Sequence, residues 1–83
     1  MDDEIRKVLT EHGRLPIDVG ALSDEDDLYA MGLTSHASVN VMLGLEDTFN
    51  LEFPDQLLRR STFGSIASIR NALDGLGAAV PAT

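Results

Sequence analysis

Three groups of side chains in this sequence could do chemistry. The first is Ser35, followed at once by His36. The second is the acidic run Asp24-Glu25-Asp26-Asp27, and the third is the basic pair Arg59-Arg60. A serine becomes a nucleophile in its own right when a base stands within hydrogen-bond reach and a third group orients that base. His36 does not fit that role, because successive side chains on a helix point about 100° apart. The other histidine, His12, falls on a separate predicted helix. An EF-hand loop starting at Asp24 needs Gly at its sixth position and Glu at its twelfth. The chain has Tyr29 and Ser35 there. It has no glycine-rich phosphate loop, no metal-ligand cluster and no cysteine. Disulfides and cysteine-bound metal are excluded, and any thiol chemistry must be imported on a cofactor. The chain is therefore not expected to be an enzyme.

The elements that position these groups follow from hydrophobic spacing. Asp2 to Gly13 reads as a first helix, with Ile5, Val8, Leu9 and His12 at helical spacing and Asp2 or Asp3 as its cap. Residues Arg14 to Thr34 form a long connection broken by Pro16, Gly20, Ser23 and Gly32. Leu28, Met31 and Leu33 are expected to pin it to the core, since a loop of this length is otherwise unusual in a compact domain. Ser35 to Asn50 is the strongest helix, with Ser35 as a suitable N-cap and Val41, Met42, Leu45 and Phe49 on the core face. Asp55 to Arg60 reads as a short helical turn after Pro54. Thr62 is expected to cap a last helix that buries Phe63, Ile66, Ile69 and Leu73. No segment alternates as a strand does. The predicted fold is all-α: three main helices and one short one, with a long loop between the first two, in a domain spanning 1–75 and followed by a flexible tail, 76–83.

Composition narrows the partners. Fourteen Asp and Glu against six Lys and Arg give a formal net charge of −8. Binding a phosphate backbone needs cationic charge, so nucleic acid is excluded, and a partner with a basic surface is favoured. No stretch is long and apolar enough to span a membrane. The acidic, polar start lacks the character of a signal peptide, so the expected compartment is the cytoplasm and the expected state a monomer.

The central helix carries a second stripe. Val39 and Leu43 lie four residues apart and off the core face, and His36 and Glu46 continue their line, with Asp47 beside it. Either Val39 and Leu43 widen the core face, or the strip is a surface docked by partner proteins, apolar in the middle and acidic at the rim.

The run Asp27-Leu28-Tyr29-Ala30-Met31-Gly32-Leu33-Thr34-Ser35 resembles the phosphopantetheine site of acyl and peptidyl carrier proteins. The resemblance continues through Val41–Phe49, the Leu51-Glu52-Phe53-Pro54-Asp55 turn and Ser61–Ile69, and covers about Asp2 to Leu73. It implies that Ser35 is the attachment serine for 4′-phosphopantetheine, and that Gly32 and Leu33 shape the turn presenting it. Thr34 stands where that family usually has Asp, His36 where it usually has a large aliphatic residue, and Asn40 where an acid is common. A phosphodiester at a helix N-terminus would meet unpaired N–H groups and the positive end of the helix dipole. On this reading Ser35 is modified by a phosphopantetheinyl transferase and is not catalytic.

Within that family the run Leu28–His36, together with Leu57-Leu58-Arg59-Arg60-Ser61, is most similar to small bacterial aminoacyl carrier proteins. That resemblance implies loading by an ATP-dependent amino acid:carrier protein ligase, similar to the catalytic core of class II aminoacyl-tRNA synthetases. The downstream acceptor enzyme stays unknown. It also places Arg59 and Arg60 near the docking face with His36, Val39, Leu43, Glu46 and Asp47, the alternative being a merely solvated pair. A fatty-acyl or polyketide carrier would share the fold and would need a cleft lined by residues such as Met42, Leu45 and Ile66. An acidic helical interaction module without a prosthetic group would not depend on Ser35.

Overall fold

The structure, a computed structural model, describes residues 1–77. Three helices carry the fold: α1 (Asp2–His12), α2 (Ser35–Phe49) and α3 (Ile66–Gly75). Single 3-10 turns at Val19–Ala21, Asp55–Leu57 and Arg60–Phe63 punctuate the connections, and there is no strand among the described residues. The all-α expectation holds. α1 packs against both α2 and α3. Ile5 and Leu9 from α1, Val41 and Leu45 from α2, and Ile66, Ile69 and Leu73 from α3 are completely buried, as is Leu28 from the long loop. Each such side chain contributes about 1.5–3 kcal/mol by leaving water. Met42, expected on the core face, is half-buried at its edge.

The helices approach closely because of one residue. A Cβ on Gly44 of α2 would lie 2.7 Å from His12 Cδ2 and 2.9 Å from Val8 Cγ1 of α1. His12 thus lies across the α1–α2 contact and stays half-exposed.

Several helix boundaries differ from the expected ones. Neither Asp2 nor Asp3 caps α1. Both lie inside its first turn, where their charges favour the positive helix end, and Met1 occupies the cap position with no side-chain cap. The cap of α2 is Thr34, not Ser35: the Ala37 N–H donates to Thr34 Oγ1 at 3.0 Å. The cap of α3 is Ser65, whose Oγ accepts from the Ser68 N–H at 3.0 Å. Thr62 is buried instead in the Arg60–Phe63 turn, which swings Phe63 inward until its ring lies 5.5 Å from that of Phe53. The short helix expected over Asp55–Arg60 is only the turn Asp55–Leu57, because Leu58 (φ −83°, ψ 65°) leaves helical space. Leu76, expected in the flexible tail, is the C-cap residue of α3. Its N–H donates to Ala72 O at 3.1 Å, and its side chain is packed on the core. The remainder of the predicted tail, from residue 78, lies outside the described residues.

The long loop is held by more than apolar anchors. Val19, Leu22, Leu28 and Leu33 are buried, whereas Met31 is only half so. The Leu28 N–H donates to Gly64 O at 2.8 Å, and the Ala67 N–H donates to Asp24 O at 3.0 Å, tying the loop to the start of α3. Asp24 also bridges two helices. Arg6 of α1 donates to Asp24 Oδ1 at 3.0 Å and to Val19 O at 2.7 Å. Arg70 of α3 donates to Asp24 Oδ2 at 3.1 Å and to Asp2 Oδ2 at 3.0 Å. The acidic run is therefore partly a structural clasp, and no cluster of potential metal ligands occurs among the described residues.

The Arg70 hydrogen bond, then that of Arg6, holds the Asp24 carboxyl below its ordinary value of 3.8. A lowered folded value means the clasp stabilises fully above that ordinary value and weakens as the pH falls below it, through the folded value. Asp24→Asn should therefore flatten the decline of urea midpoint below about pH 4. An unchanged acid limb in the variant would show that Asp24 is not the responsible group.

Candidate functional site

Ser35 is the first residue of α2, exposed, one position past the cap. The turn before it is built for this placement. The Asp27 carboxylate accepts from the N–H groups of Tyr29 (3.0 Å) and Ala30 (3.3 Å), folding the run that precedes the serine. Gly32 has φ +116°, a region that side chains rarely adopt, and a Cβ there would lie 2.8 Å from Pro16 Cδ. Leu33 is buried and its N–H donates to Leu28 O at 2.9 Å, so the next two residues are pushed outward at the surface. Thr34 takes the Ala37 N–H and, through its carbonyl, the Ser38 N–H at 2.9 Å. The N–H groups of Ser35 and His36 belong to the first turn, where a helix offers no internal acceptor.

Ser35 opens onto a groove of about 270 Å³ lined by Ser38, Val39 and Met42 of α2 and by Tyr29, Leu58, Arg59, Arg60 and Phe63. The Arg60 guanidinium lies over the Tyr29 ring, 4.1 Å from its centroid. Arg59 Nε donates to Gln56 O at 2.8 Å. Arg59 and Arg60, both exposed, thus line the same groove as Ser35. Leu45 and Ile66, which an acyl cleft would expose, are completely buried; only Met42 of that set lines the groove.

The second stripe of α2 lies outside the core. Val39 is 51% exposed and Leu43 is 53% exposed. His36 and Asp47 are exposed beside them. Glu46 is different: half-buried, with its Oε2 accepting from the Phe53 N–H at 2.8 Å. It staples the chain reversal that follows the left-handed Asn50 (φ 53°), so one of its carboxylate oxygens is engaged within the fold.

Sequence reasoning missed Tyr29, Ser38, Leu58 and Phe63 as lining residues. Tyr29 lies inside the motif run, but its pairing with Arg60 joins residues far apart in sequence and leaves no periodic signal. Leu58, 48% exposed, was detectable as an apolar residue beside a charged pair.

An exposed serine at a helix start suits a phosphodiester, and guanidinium groups suit its charge. Apolar walls with a hydroxyl among them suit a long arm that is partly apolar and partly amide. The residues present thus fit a covalently attached phosphopantetheine. Residues 12–70 match the family model described as a phosphopantetheine attachment site. The chain belongs to this family, and its prosthetic group is 4′-phosphopantetheine. It is 49% identical, over 95% of its length and the whole of the relative, to the aminoacyl carrier protein of Agrobacterium fabrum (strain C58 / ATCC 33970). It is similar, with TM-score 0.87, 49% identity and coverage of 89% of this chain and 99% of the other, to a chain of a crystal structure with two proteins. These are an engineered Bradyrhizobium japonicum glycine:[carrier protein] ligase and a carrier protein from Agrobacterium tumefaciens, complexed with AMP. A solution structure from Agrobacterium tumefaciens matches with TM-score 0.71 and 49% identity, over 95% of this chain and all of that one. No helix among the described residues is long and apolar enough to cross a membrane.

Proposed function

We propose that this chain carries an aminoacyl group as a thioester on a phosphopantetheine arm attached to Ser35 and presents it to partner enzymes. The observation that carries the reading is the placement of Ser35. It is exposed on the first turn of α2, freed from capping by Thr34, at the mouth of a groove with two guanidiniums. The aminoacyl cargo is supported by the identity to an aminoacyl carrier protein along nearly the whole chain.

On this reading the chain is a substrate and not a catalyst. In a phosphopantetheinyl transferase, Ser35 Oγ bonds to the phosphorus of coenzyme A nearest the pantetheine. The bond to adenosine bisphosphate breaks, and the serine proton passes to a base of the transferase. When bound, the group supplies the terminal thiol that holds the amino acid. Gly32 and Leu33 fix the turn, Thr34 holds the helix start, and the α2 face meets an ATP-dependent amino acid:carrier protein ligase in the cytoplasm.

Two experiments test this. Incubation with coenzyme A and a broad-specificity transferase should add one phosphopantetheinyl mass, mapped by digestion to the Ser35 peptide. Addition of ATP, glycine and a glycine:carrier protein ligase should then add one glycyl mass. A folded sample that gains no mass in the first step sinks the reading, and failure of the second step alone sinks glycine as the cargo.

The exposed strip carries a separate expectation. Leu43→Asp should leave helical circular dichroism unchanged, because the side chain lies outside the core. It should lower the rate of glycyl loading roughly ten-fold, as loss of a central interface anchor does. Loading at the original rate would remove this face from the docking surface.

A further inference from the structure

The groove beside Ser35 holds two cations and no anion, in a chain of formal net charge −8. This is not surplus charge left at random. Arg6 and Arg70 are paired with Asp2 and Asp24, whereas Arg59 and Arg60 both line the groove, Arg59 also lining the neighbouring depression. Arg59 is held by Gln56 O, and the Arg60 guanidinium lies over the Tyr29 ring. Val39, Met42, Leu58 and Phe63 supply apolar lining to the same groove.

We propose that this groove sorts the arm by the charge of its cargo. It holds an arm that is empty or bears an uncharged acyl group, and it turns out into solvent an arm whose cargo carries an α-ammonium. The inference rests on the reading that Ser35 bears the arm and that the cargo is an aminoacyl group. The phosphodiester at Ser35 is anionic, and Arg59 and Arg60 favour it. The apolar walls favour the arm's methyl-bearing segment. An aminoacyl thioester adds a positive charge next to its carbonyl, since an α-amino group with an ordinary value near 8 is protonated at neutral pH. The side chains lining the groove offer that charge no carboxylate, and the two guanidiniums among them carry the same sign. Two like charges about 4 Å apart in water disfavour the docked state roughly five-fold, and more where the groove excludes water. Salt weakens the effect. Loading alone would then swing the amino acid outward, ready for an acceptor enzyme, without a partner to extract it.

The test compares four forms of the intact chain by amide NMR: unmodified, arm alone, arm bearing acetyl and arm bearing glycyl. Stable amide analogues of the two loaded forms serve as probes. Acetyl and glycyl differ only by the ammonium. Intact mass with digestion first establishes that the arm is on Ser35 in each modified sample. The empty and acetyl arms should shift the amides of Val39, Met42 and Leu58, and the glycyl arm should return those signals toward the unmodified positions. Salt at 1 M should narrow the difference, where screening reaches about 3 Å. Arg59→Gln with Arg60→Gln should make the glycyl arm shift the amides as the acetyl arm does.

Equal shifts for acetyl and glycyl would overturn the proposal, as would an empty arm that leaves the groove amides unmoved. A mass gain on a residue other than Ser35 would overturn the reading of the attachment site and this inference with it. The wild-type comparison does not depend on the variants, and both arginines are exposed, so their replacement leaves the core intact.

Discussion

Ser35→Ala is expected to abolish the phosphopantetheinyl mass gain completely while leaving the fold in place. The argument depends on which residue holds the helix start. With Ser35 as the cap, its removal would both delete the nucleophile and fray α2, and a negative result would be ambiguous. The cap is Thr34, which takes the Ala37 N–H at 3.0 Å, and Ser35 Oγ is released to the surface. Alanine is also the best helix former, so Ser35→Ala should not lower the urea midpoint. Thr34→Ala is the complement. It should cost about 1 kcal/mol by orphaning a first-turn N–H, and it should keep the mass gain. Intact mass and urea unfolding on both variants separate the two roles. A mass gain in Ser35→Ala would move the attachment site to another residue, and an unchanged midpoint in Thr34→Ala would remove the cap from the account.

Gly32→Ala should have the largest effect on stability of any change near the site. Its φ of +116° excludes a side chain without strain of about 1–3 kcal/mol. In addition a Cβ would meet Pro16 Cδ at 2.8 Å and Cγ at 3.2 Å, atoms of a rigid ring that cannot rotate away. Relief requires the turn to open, which would displace Leu33 from the core and move Ser35 with it. Both the urea midpoint and the rate of Ser35 modification should fall. The two causes can be separated: adding Pro16→Ala should recover the steric part and leave the backbone part, a coupling that a double-mutant cycle reads directly. If Gly32→Ala matches the parent in midpoint and modification rate, the turn does not position the serine as described.

The helices were legible because burial imposes a 3.6-residue period. Ile5-Val8-Leu9, Val41-Leu45-Phe49 and Ile66-Ile69-Leu73 each mark one face, and each is buried. Their ends were less legible. Thr34 and Ser35 are both cap-competent, as are Thr62 and Ser65, so composition could not choose between neighbours. Packing chose: burying Leu33 places Thr34 at the cap, and turning Phe63 onto Phe53 delays α3 to Ser65.

The candidate site divides in the same way. The sequence by itself determined the all-helical class, the glycine-turn-serine arrangement from Gly32 to Ser35, the apolar pair Val39 and Leu43, and the absence of cysteine, so that any thiol chemistry has to be imported. Those are local facts, carried by residue type and short spacing. Only the tertiary structure decided that Arg60 covers Tyr29, that Arg59 shares a groove with Ser35, and that Glu46 turns inward to the Phe53 N–H. It also decided that the acidic run contributes Asp24 as a clasp between α1 and α3. Each of these joins side chains brought together by a chain reversal. Their contact energy depends on where the backbone returns, which no periodic pattern along the chain records.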